Sequence, residues 1–260
     1  RRVEGWADDA RSPPIHPPMM GRGPVLFLLL LLLSVARAVS VSVSVNSSAF
    51  DLRHALASST SSILFESGTH TLWSPPVRVE GLRLSFVGDE AENASSPSVE
   101  LDCGGRRLGW AFGAGAEVRL SGLHFSRCEA TLGSRFGAIH AYGAATNVSI
   151  VACRFSNFVG APAITLAAGV VAHITGSTFE GNLAGGVRAT GGAEVILSDS
   201  YFLFNAAPPY EQGGAAVACS GDGTEVQVES TLFQSNSALA QPRSGRFADG
   251  GAVLVSDACS

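Results

Sequence analysis

Residues 172–182 read AHITGSTFEGN and residues 194–205 read EVILSDSYFLFN. In each, an aliphatic residue stands five positions before a phenylalanine and an asparagine three positions after it. The same spacing runs through VRLSGLHFSRC (118–128), VSIVACRFSNF (148–158) and VQVESTLFQSN (226–236). The aliphatic members are Leu120, Ile150, Ile174, Leu197 and Val228, and the aromatic ones Phe125, Phe155, Phe179, Phe202 and Phe233. Three places after the phenylalanine come Cys128, Phe158, Asn182, Asn205 and Asn236. Small-residue strands lie between the copies: Gly137-Ala138-Ile139, Pro162-Ala163-Ile164, Gly185-Gly186-Val187, Gly213-Gly214-Ala215 and Gly250-Gly251-Ala252-Val253.

Successive phenylalanines are 30, 24, 23 and 31 residues apart. A period that short, made of strands alone, predicts a solenoid coil of about three strands. Coils stacked about 4.8 Å apart set equivalent residues above one another, so the aliphatic and aromatic sets become two inward ladders. Asn182, Asn205 and Asn236 should then stack at a turn, their amides bonding each other and the backbone. Glycine pairs suit the next corner, where positive φ or close backbone approach is required.

Composition agrees with a strand-and-turn chain. Apolar residues make up 46% and charged residues 15%, with 30 glycines in 260 residues. The net charge of −5 and the lack of a basic cluster argue against a nucleic acid partner. All basic residues are arginine, which reads as a genomic bias.

Working outward to the start, residues 24–36 (PVLFLLLLLLSVA) form an apolar run suited to the h-region of a secretory signal. Arg22 supplies the positive n-region and Ala36-Arg37-Ala38 the cleavage site. Residues 1–19 read as an upstream extension outside the native protein, 20–38 as the signal, 39–61 as an N-terminal strand and capping helix, and 62–260 as the solenoid. Retention of 20–36 as a signal anchor is the alternative, and membrane attachment otherwise requires further sequence. VSVSVSV (39–45) alternates as a half-buried strand does. Phe50–Leu56 places Leu52, Ala55 and Leu56 on one helical face, a short helix able to cover the first open coil. ILFESG, VRVEG, LRLSFVGD and VELDC read as irregular early coils. With no cap after the last small-residue strand, the chain is expected to be part of something longer.

The pairing of F-x-x-N (Phe179 to Asn182, Phe202 to Asn205, Phe233 to Asn236) with G-G-A-[ILV] (Gly250 to Val253) resembles the repeat of the polymorphic outer-membrane proteins of chlamydiae, and more broadly the pectin-lyase-like β-helix proteins. Gly250 to Val253 is the only strict copy of the second motif, and the other small-residue strands depart from it: Phe136 precedes Gly137, Pro162 replaces glycine, and Gly213-Gly214-Ala215 is followed by Ala216. The resemblance covers about residues 118–260. It implies an all-β, right-handed parallel β-helix displayed at a cell surface or secreted, with a role in adhesion.

No residue set names a reaction, a metal or a cofactor. A polysaccharide lyase or hydrolase would need clustered or paired carboxylates. Glu117, Glu194 and Glu225 share one register, three positions before the aliphatic ladder, which is one acid per coil and reads as a solvated face. His124, His140 and His173 fall at unrelated coil positions. Strict stacking separates Cys128 from Cys153 by roughly 16 Å along a strand, beyond disulfide reach. Cys103, Cys219 and Cys259 have no assignable partner, so buried cysteine is the expectation. Asn46, Asn93 and Asn147 head glycosylation sequons. Insertions gather at one corner of the coil; Tyr210, Arg243, Arg246 and Phe247 lie in them and suit contact with a glycan or another surface protein. The function expected is therefore non-catalytic, in adhesion, binding or structure. A secreted polysaccharide-modifying enzyme, its acids outside the repeats, is the alternative.

Overall fold

The computed structural model describes residues 40–43, 62–71, 77–88, 97–105, 109–129, 137–207, 214–238, 251–256 and 259–260. The chain divides into two compact units, Arg1–Arg37 and Ala38–Ser260, and every described residue belongs to the second.

Three all-parallel sheets carry the second unit: an eight-stranded sheet, here A, and two seven-stranded sheets, B and C. The chain visits them in turn. Asn147–Val151 lies in A, Arg154–Ser156 in B and Ile164–Ala167 in C; Val171–Thr175 returns to A, Thr178–Glu180 to B and Val187–Thr190 to C. Each strand pairs with its counterpart one circuit away, so every circuit is one coil laid on the last. A further pair, Ala206–Ala207 with Ser237–Ala238, extends the stack at one corner. Among the described residues there is no helix. The capping helix expected over Phe50–Leu56 lies outside them, while Ser40–Val43 of VSVSVSV is a strand of sheet A.

Register follows the five-residue constant. In sheet A, Ile63, Phe86, Leu120, Ile150, Ile174, Leu197 and Val228 are successive partners. In sheet B the column is His70, Leu101, Phe125, Phe155, Phe179, Phe202 and Phe233. The five phenyl rings stack with centroids 4.5–5.2 Å apart, and Trp110 meets the first of them edge-on at 5.2 Å. Burying each such side chain contributes about 1.5–3 kcal/mol. Val228 differs from the rest of its column. It keeps the register but is 42% exposed, because no further coil covers it among the described residues.

The small-residue strands of sheet C align Ile139, Ile164, Val187, Val217 and Val253. The fourth copy is therefore Ala215-Ala216-Val217, two residues later than Gly213-Gly214-Ala215. A shift of two preserves the inward alternation, so the pattern alone does not distinguish the two. Small size is required at the entry: a Cβ on Gly186 would lie 2.7 Å from the Ala216 carbonyl and 2.8 Å from the Phe202 ring.

Each corner has its own hydrogen-bonded stack. Between A and B, the Cys153 N–H donates to Ser177 Oγ and the Ser177 N–H to Ser200 Oγ, both at 3.2 Å. Between B and C, the Asn182 N–H and Nδ2 donate to Asn205 Oδ1, and Asn205 repeats this to Asn236. Between C and A, Thr146 and Thr224 accept from Gly115 and Gly192 of the preceding coil. Left-handed backbone recurs beside the A-to-B and B-to-C stacks, at Ala152, Gly176, Asp199 and Ser230 and at Asn157, Gly181, Phe204 and Ser235.

The cysteines correct the sequence expectation. Cys103 pairs with Cys128 and Cys219 with Cys259, leaving Cys153 free and buried. Cys128 finds its partner in the coil before its own, not in the one after. Leu101 occupies the phenylalanine position of that earlier coil and hides its register from a search keyed on phenylalanine.

Candidate functional site

The three outer faces differ in how far their polar groups are already committed. On sheet B, alternate residues project outward and bond one another. Ser126 Oγ donates to Glu100 Oε1 at 2.6 Å and Thr69 Oγ1 to Glu100 Oε2 at 3.1 Å. His124 Nε2 meets Ser156 Oγ at 2.8 Å, Arg127 pairs with Asp102, and Arg154 pairs with Glu180. Burial, followed by the Arg154 charge, holds the His124 pKa below its ordinary value; Glu100, Glu180 and Asp102 oppose this. Glu100 and Asp102 are two residues apart on one strand, so their Cα atoms lie about 7 Å apart. Each is tied to its own donors.

Sheet C is similarly self-contained where its aromatic residues lie. The Tyr142 ring covers Gly113, whose added Cβ would fall 2.5 Å from it, and its hydroxyl donates to Glu80 Oε1 at 3.2 Å. The His140 ring stacks on Tyr142 at 5.2 Å.

Sheet A is the open face. One outer column holds Arg83, Glu117, Asn147, Val171, Glu194 and Glu225; the next holds Ser85, Arg119, Ser149, His173, Ile196 and Gln227. A groove of about 630 Å³ runs over the first four of these strands. Arg83, Ser85, Glu117, Arg119, Asn147, Ser149 and His173 line it. Arg83 Nε donates to Glu117 Oε2 at 2.8 Å, which engages the groove's carboxylate. Among the described residues, the side chains of Arg119, Asn147, Ser149 and His173 make no hydrogen bond or ion pair. A guanidinium, an amide, a hydroxyl and an imidazole thus face one concavity with their bonding capacity unspent.

The chain matches no family model, no curated protein and no solved structure. The chemistry available at this face is therefore argued from its own residues. Among the described residues no three His, Cys, Asp or Glu side chains could hold a metal ion. His124 lies on sheet B, His140 on C and His173 on A. Glu117, Glu194 and Glu225 share one exposed column of sheet A.

From residue 118 on, the long connections fall between B and C, but Tyr210, Arg243, Arg246 and Phe247 lie outside the described residues, as do Asn46 and Asn93. Asn147 is exposed at the start of its sheet A strand. Arg119 and His173 were not singled out as binding residues by the sequence. Their signal was present: both stand one position before the aliphatic ladder, at Leu120 and Ile174, so the constant that gives the core also gives this outer column.

Proposed function

We propose that this chain is an exported, right-handed β-helix of the pectin-lyase-like kind. In this reading it is displayed at a cell surface or secreted, and it binds a glycan or another surface protein through the open face of sheet A without transforming it. The observation that carries the reading is the contrast between faces. Polar groups on sheet B bond one another, whereas Arg119, Ser149 and His173 line a groove and bond no partner among the described residues. Unspent donors and acceptors in a concavity are what a polar ligand requires. Right-handedness follows the near-universal hand of parallel strand connections.

Export has separate support. Two disulfides among five cysteines fit an oxidising compartment, in keeping with the leader-like run at 24–36. The repeat resemblance supports adhesion as the purpose of display.

The test is binding of the full-length chain to an array of neutral and acidic glycans, repeated with the double variant Arg119→Ala, His173→Ala. Binding that falls at least tenfold in the variant supports the assignment. Equal binding by both proteins would place the site elsewhere. Release of new reducing or unsaturated sugar ends from a bound polysaccharide would replace the reading with the enzymatic one.

A further inference from the structure

We propose that Asn147 is an N-glycosylation site and that its glycan stands at the rim of the sheet A groove, beside the binding face. Five asparagines lie among the described residues, and each of the other four fails the sequon test or is spent on structure. Asn182 and Asn205 are buried, and with Asn236 they form the bonded stack between B and C. Asn157 is followed by Phe158 and Val159 and heads no sequon. Asn147 heads Asn147-Val148-Ser149, is exposed, and makes no side-chain hydrogen bond among the described residues. Strand alternation turns Asn147 and Ser149 outward together while Val148 packs into the core.

Position sharpens the inference. Asn147 opens its strand directly after the corner at 143–146, and its register partners are Glu117 and Val171. A glycan there is rooted in the groove wall, beside the faces of Arg119 and His173. The donor would be a lipid-pyrophosphate oligosaccharide. Asn147 Nδ2 attacks its anomeric carbon, the carbon–oxygen bond to pyrophosphate breaks, the amide gives up one proton, and lipid pyrophosphate leaves. The proposal rests on the export reading above, since that transfer takes place in the export pathway, where disulfides also form.

The experiment is intact-glycopeptide mass spectrometry on the full-length chain made with its own leader in a eukaryotic secretory cell. The peptide containing Asn147 should carry a glycan, lose it in Asn147→Gln and in Ser149→Ala, and keep it in Ser149→Thr. A second version carries a proven secretory leader. If that version is secreted with Asn147 unmodified, the proposal is overturned. If Asn147 is modified in that version and bare with the native leader, the site stands and the export reading fails instead. Carbethoxylation by diethylpyrocarbonate reads the placement: removal of the glycan should speed modification of His173, and an unchanged rate would overturn its position at the groove rim.

Discussion

Leu197 and Val228 are neighbours in one column, as are Phe202 and Phe233 in another. Leu197 and Phe202 are fully buried, whereas Val228 is 42% exposed and Phe233 only half-buried. Apolar character, sheet and register are shared within each pair, so none of these explains the difference. What differs is cover: Leu197 and Phe202 have a coil on both sides, and the coil of Val228 and Phe233 has one on a single side among the described residues. Spacing assigns a side chain to the interior column, but stacking is what buries it. In a solenoid each coil touches only its neighbours, so stability is close to a sum over adjacent pairs.

The largest test of this comparison truncates matched phenylalanines. Phe179→Ala should cost about 3–5 kcal/mol, the usual range for removing a fully buried aromatic ring, since Phe155 and Phe202 stack on it from both sides. Phe233→Ala should cost about 1 kcal/mol, the centre of the range for ordinary substitutions. Urea unfolding of the full chain followed by circular dichroism measures both. Equal losses would show that register alone, and not cover, decides the contribution.

This dependence also explains which parts of the molecule the sequence discloses. The two inward ladders could be read because stacking makes one residue type recur at a fixed offset. The Cys153, Ser177, Ser200 and Thr231 positions obey the same offset, two before the phenylalanine, but Leu123 in the first copy and the cysteine in the second disguise a hydroxyl stack. The Cys103–Cys128 pair was hidden because Leu101 replaces phenylalanine in the earlier coil. Strands Gly68–Thr71 and Trp110–Gly113 give no alternating apolar signal and take their places from the coils beneath them. The open face was legible only indirectly. Which outer residues are free depends on how outer side chains pair, as between Arg83 and Glu117, and a ladder constant does not encode that.

A middle-sized effect is expected in the asparagine stack. Asn205 accepts from the Asn182 N–H and Nδ2 and donates to the Phe179 carbonyl, all three bonds being buried. Asn205→Ala leaves the buried Asn182 N–H unpaired, at about 1–3 kcal/mol for the stranded donor, and removes the side-chain bonds to Asn182 Nδ2 and the Phe179 carbonyl. Asn236→Ala strands the Asn205 N–H and removes a side-chain bond to the Phe202 carbonyl, at a part-buried site where water can replace the lost bonds. It should therefore cost less than half as much in the same urea measurement. A larger loss at Asn236 than at Asn205 would break the rule that cover sets the contribution.

The smallest effect concerns Cys153, which sits among the hydroxyls of the A-to-B stack and keeps its Sγ 3.4 Å from the Val151 carbonyl. Burial pushes its pKa up to about 12, only partly offset by backbone hydrogen bonds. The unfolded chain releases this proton near the ordinary value of 9.0 and the folded chain does not. The folded state thus binds more protons between those values, and stability must fall as pH rises through that window, with a limiting slope of about 1.4 kcal/mol per unit. At pH 9.5 the loss should be under about 1 kcal/mol by the same relation. Cys153→Ser, which restores the residue type of its neighbours Ser177 and Ser200, should flatten that part of the pH profile. Iodoacetamide at pH 8 should label Cys153 only after denaturant is added. Rapid labelling of the folded chain would show that this corner opens to solvent, and the middle coils would then lose their distinction from the exposed one.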